Sequence, residues 1–259
     1  MKVDPKTLVF LKQLGLVTGA ALLLMVILSA VQRKQNADSI DLQIQIEALE
    51  GEQLITDKDV RNSIQRRFGH NLNGIPIGNL DLKEVEKVLE SDPFVYDADV
   101  YVDAIHKVKV RIWQREPLLR VIDRNGSQYY LDIEGEKLPL SPNYTARVLV
   151  ASGNIKDYEA DYLENEKSDL NQLFKVAIAV YKDEFLKAQT EQLYINAKRD
   201  LLLIPKVGDH KIVLGNALEL EQKLEKLKLF YHEGLPYKGW QTYKTINLKY
   251  EDQIVCTKK

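Results

Sequence analysis

The sequence predicts an α+β protein, a membrane-spanning helix followed by two folded regions, and three patterns predict it. An uncharged apolar run lies near the amino end. A strand, helix, helix, strand, strand pattern follows within about seventy residues. The remainder alternates short strands and turns with two amphipathic helices.

From Gln13 to Gln32 no residue carries a charge, with Lys12 before the run and Arg33 and Lys34 after it. A helix of about 20 residues rises about 30 Å, the thickness of a bilayer core. A cleaved leader has a shorter apolar stretch and small residues at its cleavage site, and Ser29 and Ala30 make a poor one. An uncleaved anchor is therefore the preferred reading. Lys2, Lys6 and Lys12 give a slight bias toward a cytoplasmic amino terminus. Gly15 and Gly19 form one GxxxG pair, which lets another helix approach closely or serves no pairing at all. The expected organisation is a tail over 1–12, a span over 13–32, a linker over 33–41, a first domain over 42–114 and a second over 115–257.

Leu42, Ile44 and Ile46 alternate with Gln43, Gln45 and Glu47, the period of a half-buried strand. Thr56 is a good helix cap with Asp59 three residues on, and Val60, Ile64 and Phe68 share one face. The same grammar recurs at Asp81 with Glu84, ahead of a stripe of Leu82, Val85, Val88 and Leu89. Ala98, Val100 and Val102, then Val108, Val110 and Ile112, make a hairpin whose acidic and basic outer residues can pair across it. Strands apolar on one face need the helices to cover that face.

Beyond Arg115-Glu116-Pro117, short strands are expected at 118–122, 129–133 and 147–151, then near 193–195, 201–204 and 211–214. Leu170, Leu173, Phe174, Ala177, Ile178, Tyr181 and Phe185 mark one long amphipathic helix. Asn216 with Glu219 is expected to cap another, striped by Leu220, Leu224, Leu227 and Tyr231 and stopped at Gly234 and Pro236. The chain closes with strands at 245–250 and 253–256, and the first of these is expected to offer a free edge.

Composition excludes several chemistries. Lys and Arg number 36 against 38 Asp and Glu, a net charge of −2 that lacks the basic footprint of nucleic-acid binding. A single cysteine, Cys256, excludes an internal disulfide and any multi-cysteine zinc site; it reads as a small apolar residue near a strand end. His70, His106, His210 and His232 stand singly, outside metal-binding spacing, and no phosphate loop or nucleophile elbow is present. No cofactor and no catalysis are expected. Trp113 and Trp240 read as buried or interface aromatics before they read as a sugar groove.

In this order the chain resembles the bacterial cell-division family FtsQ, called DivIB in some lineages. The resemblance rests on Asp92-Pro93-Phe94-Val95, on the strand Val108–Ile112 running into Arg115-Glu116-Pro117, on Tyr129-Tyr130-Leu131-Asp132-Ile133-Glu134-Gly135, and on Ile246-Asn247-Leu248-Lys249-Tyr250. The loop Asn73–Asn79 departs from the usual family version. The resemblance implies a POTRA domain (βααββ) followed by a β-rich domain with two amphipathic helices. It also implies a non-enzymatic scaffold of the divisome, in the inner membrane, with most of its chain in the periplasm at the division site. Its implied partners are FtsB and FtsL, through which it helps control septal peptidoglycan synthesis, and other divisome proteins on the POTRA domain. The strand matching the family's FtsB-binding strand is Thr245, Ile246, Asn247, Leu248, Lys249 and Tyr250. Lys249 then favours an acidic partner strand, and Tyr250 is an aromatic anchor. The alternative is that this strand has no partner. Two rival functions stay in view: a POTRA-type outer-membrane assembly or secretion factor, and a membrane-tethered cell-wall hydrolase.

Overall fold

A computed structural model describes residues 5–39, 41–48 and 53–259. Residues 1–4 of the expected tail and Ile40 of the expected linker lie outside the described residues. Helix α1 (Pro5–Gln35) is one continuous rod, and its segment Leu14–Lys34 has a mean hydropathy of 2.5. Among the described residues nothing buries that segment, and Leu16, Met25 and Val26 all stand open. An uninterrupted apolar surface of this length needs apolar surroundings, which a bilayer provides.

The rest of the chain divides into two compact units. One joins the described residues up to Glu47 with Ile55–Trp113, and the other joins Ala48, Gln53 and Leu54 with Gln114–Lys259. In the first unit the order is β1 (Leu42–Glu47), α2 (Asp57–Phe68), α3 (Leu82–Glu90), β2 (Val95–Val102) and β3 (Val108–Gln114). The sheet runs β1-β3-β2, with β1 parallel to β3 in the register Leu42↔Val108 and Ile46↔Ile112. Val60, Ile64, Val85 and Leu89 are buried with Val108, Val110 and Ile112, as their spacing predicts.

Helix α2 starts where its capping box lies. The Asp59 N–H donates to Thr56 Oγ1 at 3.4 Å and the Thr56 N–H to Asp59 Oδ2 at 3.0 Å, which satisfies two free donors. The departing loop Asn73–Asn79 has a structural task. The Ser39 N–H donates to the Ile75 carbonyl at 2.9 Å and Gly74 donates back to Ser39 at 2.8 Å, so the loop grips the segment that leaves the anchor. The outer side of β2 is engaged as well: the Val100 N–H donates to Glu86 Oε1 on α3 at 2.9 Å.

The second unit is a nine-stranded sheet. Its strands are β4 (Pro117–Ile122), β5 (Gln128–Asp132), β6 (Lys137–Leu138), β7 (Leu149–Gly153), β8 (Thr190–Ile195), β9 (Leu201–Pro205), β10 (Lys211–Gly215), β11 (Tyr243–Asn247) and β12 (Val255–Lys258). They lie in the order β12-β11-β10-β9-β8-β7-β4-β5-β6. Helices α4 (Asp169–Lys182), α5 (Glu184–Gln189), α6 (Leu220–Leu229) and α7 (Leu235–Lys238) contribute to the core. Leu173, Val176, Ala177, Leu224 and Leu227 meet Leu119, Val121, Leu193, Leu203, Ile212 and Ile246 there.

Three expectations change. The single long helix over 170–185 is two, because Asp183 leaves helical geometry and caps a new start, accepting the Leu186 N–H at 2.9 Å. The last long helix starts at Leu220, not at Asn216, whose side-chain oxygen is taken by the Leu218 N–H and by Lys223 Nζ. The chain passes Gly234 in a wide turn, with the Leu235 N–H reaching the Phe230 carbonyl, and continues as α7. Pro236 sits in the first turn of α7, where a missing N–H costs nothing.

The Tyr129–Gly135 segment is a fold device. Asp132 is buried, and its Oδ1 accepts the N–H groups of Glu134 at 2.9 Å and Glu136 at 2.8 Å, while Oδ2 accepts Arg115 Nη1 at 2.8 Å. Gly135 completes the turn at φ 91°, and Tyr162 Oη donates to its carbonyl at 2.8 Å. Asp132→Ala strands two backbone donors and removes the nearer of two carboxylates from Arg115, so the expected loss is about 3 kcal/mol, read as a lower urea midpoint at unchanged slope.

Candidate functional site

The sequence places the site at Thr245–Tyr250, and the structure corrects its nature. Residues 243–247 form β11, an interior strand. On one side β11 runs parallel to β10, with Lys211↔Thr245, Ile212↔Ile246 and Val213↔Asn247. On the other it is antiparallel to β12, with Thr245↔Thr257, Ile246↔Cys256 and Asn247↔Val255. The expected free edge is thus occupied by the chain's own last strand, and the edge itself is β12. The reason is reach. The turn after Leu248 folds the tail back on β11, and that tail carries Ile254 and Cys256, whose half-buried side chains pack onto the core.

The six residues divide by role. Ile246 and Leu248 are buried, and the Leu248 N–H donates to the Val213 carbonyl at 2.9 Å, so they hold the strand in the sheet and are closed to a partner. Thr245 and Asn247 are half-buried between two paired neighbours. Lys249 is committed within the chain. Its Nζ lies 2.9 Å from Asp200 Oδ1, and that carboxylate holds the ammonium pKa above its usual value. Its stem lies so close to Gly215 that a Cβ there would meet Lys249 Cγ at 2.8 Å. Tyr250 is 48 % exposed and open to contact. Lys226 of α6 donates to the carbonyls of Tyr250, at 2.8 Å, and Glu251, which ties the β11–β12 turn to the helix.

Beside the turn is a small basic hollow of about 300 Å³, lined by Arg199, Asp200, Gly215, Lys223 and Lys249 among others. Lys223 is buried, and its ammonium rests on the carbonyl and the side-chain oxygen of Asn216, both at 3.0 Å. Burial lowers its pKa. Among the described residues no carboxylate pairs with Lys223, and Asp169 and Asp200 are held by Arg199 and Lys249. The residues that line the hollow are thus mainly basic, with Asp200 the one acid among them, and Glu219 acts on Lys223 from outside the lining. Sequence reading missed Lys223, because a lysine on a helix facing a hollow is indistinguishable in sequence from one on a solvated face.

The edge strand has Val255 at 41 % exposure, beside Cys256, whose thiol pKa is raised by burial. Among the described residues no three His, Cys, Asp or Glu side chains converge as a metal site. Trp240 stacks on Tyr231 at 5.4 Å and packs on the core, and Arg111 lies over the Trp113 ring at 5.8 Å.

Two family matches cover the folded part of the chain. Residues 116–257 match the family described as FtsQ/DivIB, C-terminal related, and residues 39–113 match the POTRA-like domain. These are descriptions of a cell-division scaffold type. No curated protein matches the chain significantly.

One buried histidine lies near the edge. His210 is 1 % exposed, with Nε2 2.9 Å from Tyr231 Oη, and it faces the Trp240 carbonyl, Asp209 and Lys259. Burial depresses its pKa below 6.5, so the unfolded chain binds the proton more readily than the folded one. Stability from this group is then complete above pH 6.5 and falls as the pH drops below it, by at most about 1.4 kcal/mol per unit. The measurement is the urea midpoint at pH 7.5, 6.5 and 5.5 for the parent and His210→Phe. The expected result is a shallower acid slope in the variant.

Proposed function

The chain belongs to the FtsQ/DivIB family of cell-division proteins, and we propose that it is a membrane-anchored scaffold that adds a partner β-strand to the free side of β12. The single observation that carries this reading is that β12 closes one end of a nine-stranded sheet and that, among the described residues, no strand lies on its outer side. A strand in that position presents unpaired N–H and C=O groups to any extended segment. FtsB, with FtsL, is the proposed occupant, and through it the chain helps control septal peptidoglycan synthesis. Tyr250 and Val255 supply apolar contact, and the hollow around Lys223 accepts an acidic side chain of the partner. Thr245–Asn247 act from behind, by holding β12 in register.

The proposed topology follows from the anchor and its flanking charges: amino terminus in the cytoplasm, span in the inner membrane, and both units in the periplasm at the division site. The domain limits proposed from the sequence, 42–114 and 115–257, rest on the POTRA-like pattern and the β-rich pattern that succeeds it. The reading as an outer-membrane assembly factor expects tandem POTRA modules or a barrel. The second unit is an open sheet that ends at β12 and β6. A hydrolase needs convergent catalytic groups, and the scaffold reading needs none.

The test is a proline scan of the edge in the detergent-solubilised full chain: Val255→Pro, Cys256→Pro, Thr257→Pro and Lys258→Pro, with capture of purified FtsB and thermal melting read side by side. N–H groups alternate in direction along a strand. The expected pattern has period two, with capture weakened by at least about tenfold at positions whose N–H points outward and melting lowered at the others. Equal capture by every variant that melts like the parent rejects the edge as the site.

A further inference from the structure

The second unit carries a cleft that the edge-strand reading leaves unused. It lies where the parallel strands β4, β7 and β8 begin, and its volume is about 550 Å³, within the range of small-ligand and peptide pockets. Its walls differ in chemistry. Pro117, Leu118 and Val148 from the strand side, and Ala177 and Val180 from α4, make an apolar floor. Arg147, Lys187 and Lys206 stand at its rim, and none of the three forms an ion pair among the described residues.

The carboxylates at the cleft offset this rim only in part. Glu116 accepts the Tyr181 hydroxyl at 2.7 Å, and Arg115 is held by Asp132 at 2.8 Å. Glu116 keeps its charge in that bond, so with Glu191 two acids face the three cations of the rim, and one positive charge remains in excess. Lys187 lies over the Tyr181 ring at 4.5 Å, so its ammonium is kept beside the cleft rather than spread into solvent. Lys206 Nζ donates to the Lys187 carbonyl at 3.4 Å, which brings two cations to one side.

The geometry points to a second docking site in this cleft, for a short peptide segment of a partner protein that places apolar side chains on the floor and carboxylates against Arg147, Lys187 and Lys206. Charge complementarity selects the occupant: a neutral apolar segment leaves the rim unused, and a basic one meets like charge. The cleft and β12 involve different strands, so this site stands or falls independently of the edge reading.

The experiment uses the full chain in nanodiscs of zwitterionic lipid and fluorescence anisotropy of labelled peptides. The probes are Asp-Leu-Glu-Leu, Lys-Leu-Lys-Leu and Asp-Ser-Glu-Ser, with phosphatidylglycerol micelles and inorganic phosphate as competitors. The expected result is saturable binding of the first peptide alone, weakened by about tenfold in the double variant Arg147→Glu with Lys187→Glu and further weakened by added salt. Val148→Asp, at a half-buried position, tests the floor separately, and the melting temperature of each variant shows that it folds. FtsB capture is measured on the same variants and is expected to be unchanged. Three results overturn the proposal: no binding of the acidic peptide, equal binding by the folded double variant, or displacement of the peptide by phosphatidylglycerol or phosphate at lower concentration than by unlabelled peptide.

Discussion

Backbone pairing governs this molecule. Each strand must satisfy its N–H and C=O groups on two sides, and an open sheet leaves its outermost strands unsatisfied on one. The two units treat their edges differently. In the first unit, β2 has a donor capped by Glu86, and β1 turns Gln43, Gln45 and Glu47 outward. In the second, β6 has only two residues, with Leu138 buried and Lys137 lying over the rings of Tyr129 and Tyr158 at 4.8 and 4.4 Å. β12 is the exception. It is twice as long, with exposed Val255, Thr257 and Lys258, and no side chain of the described residues is bonded across it as Glu86 is across β2.

What holds β12 in place is burial rather than charge. Lys259 pairs with Asp209 at 2.8 Å and Lys249 with Asp200 at 2.9 Å, but both lysines are well exposed, and solvent screening leaves such pairs little weight. Ile246 and Leu248, fully buried, contribute about 1.5–3 kcal/mol each on removal from water. The stable part of this corner is therefore β11, and β12 lies on it with only Ile254 and Cys256 partly covered. A margin of low local stability over a rigid base is suited to pairing with a new strand, because the base fixes register while the margin adjusts.

Much of this was legible in the sequence. The capping box at Thr56 and Asp59, the apolar stripes of α2 and α3 and the alternation of β1 and β3 place the first unit almost residue by residue, because local pattern and tertiary packing agree there. The second unit was harder to read. The break at Asp183 lies inside an unbroken helical stripe, and the two-residue β6 has no period to detect. The pairing of β12 with β11 was also hidden. Alternation shows which face of a strand is buried and says nothing of which neighbour takes each side. Thr245–Tyr250 was thus misread as an edge, and Lys223 was invisible because its burial arises from Asn216 and the start of α6.

Magnitudes decide how much the edge can accomplish alone. A four-residue strand offers about four outward main-chain groups, and at about 0.5–1.5 kcal/mol net per hydrogen bond they yield about 2–6 kcal/mol. Association costs about 4–15 kcal/mol in lost freedom, so strand addition by itself gives at best a very weak complex. Specific binding then depends on side chains at the two ends of the added strand. Val255 and Tyr250 offer apolar surface, and since each is already about half covered, burying the rest of either contributes about 1 kcal/mol. Lys223 contributes in another way, since an ammonium already desolvated by the fold meets a carboxylate without the full cost of leaving water. On the proposed reading the edge sets direction and register, and the hollow and the exposed aromatic set affinity. A partner lacking an acidic residue at that end of its strand can pair with the same backbone and still fail to stay.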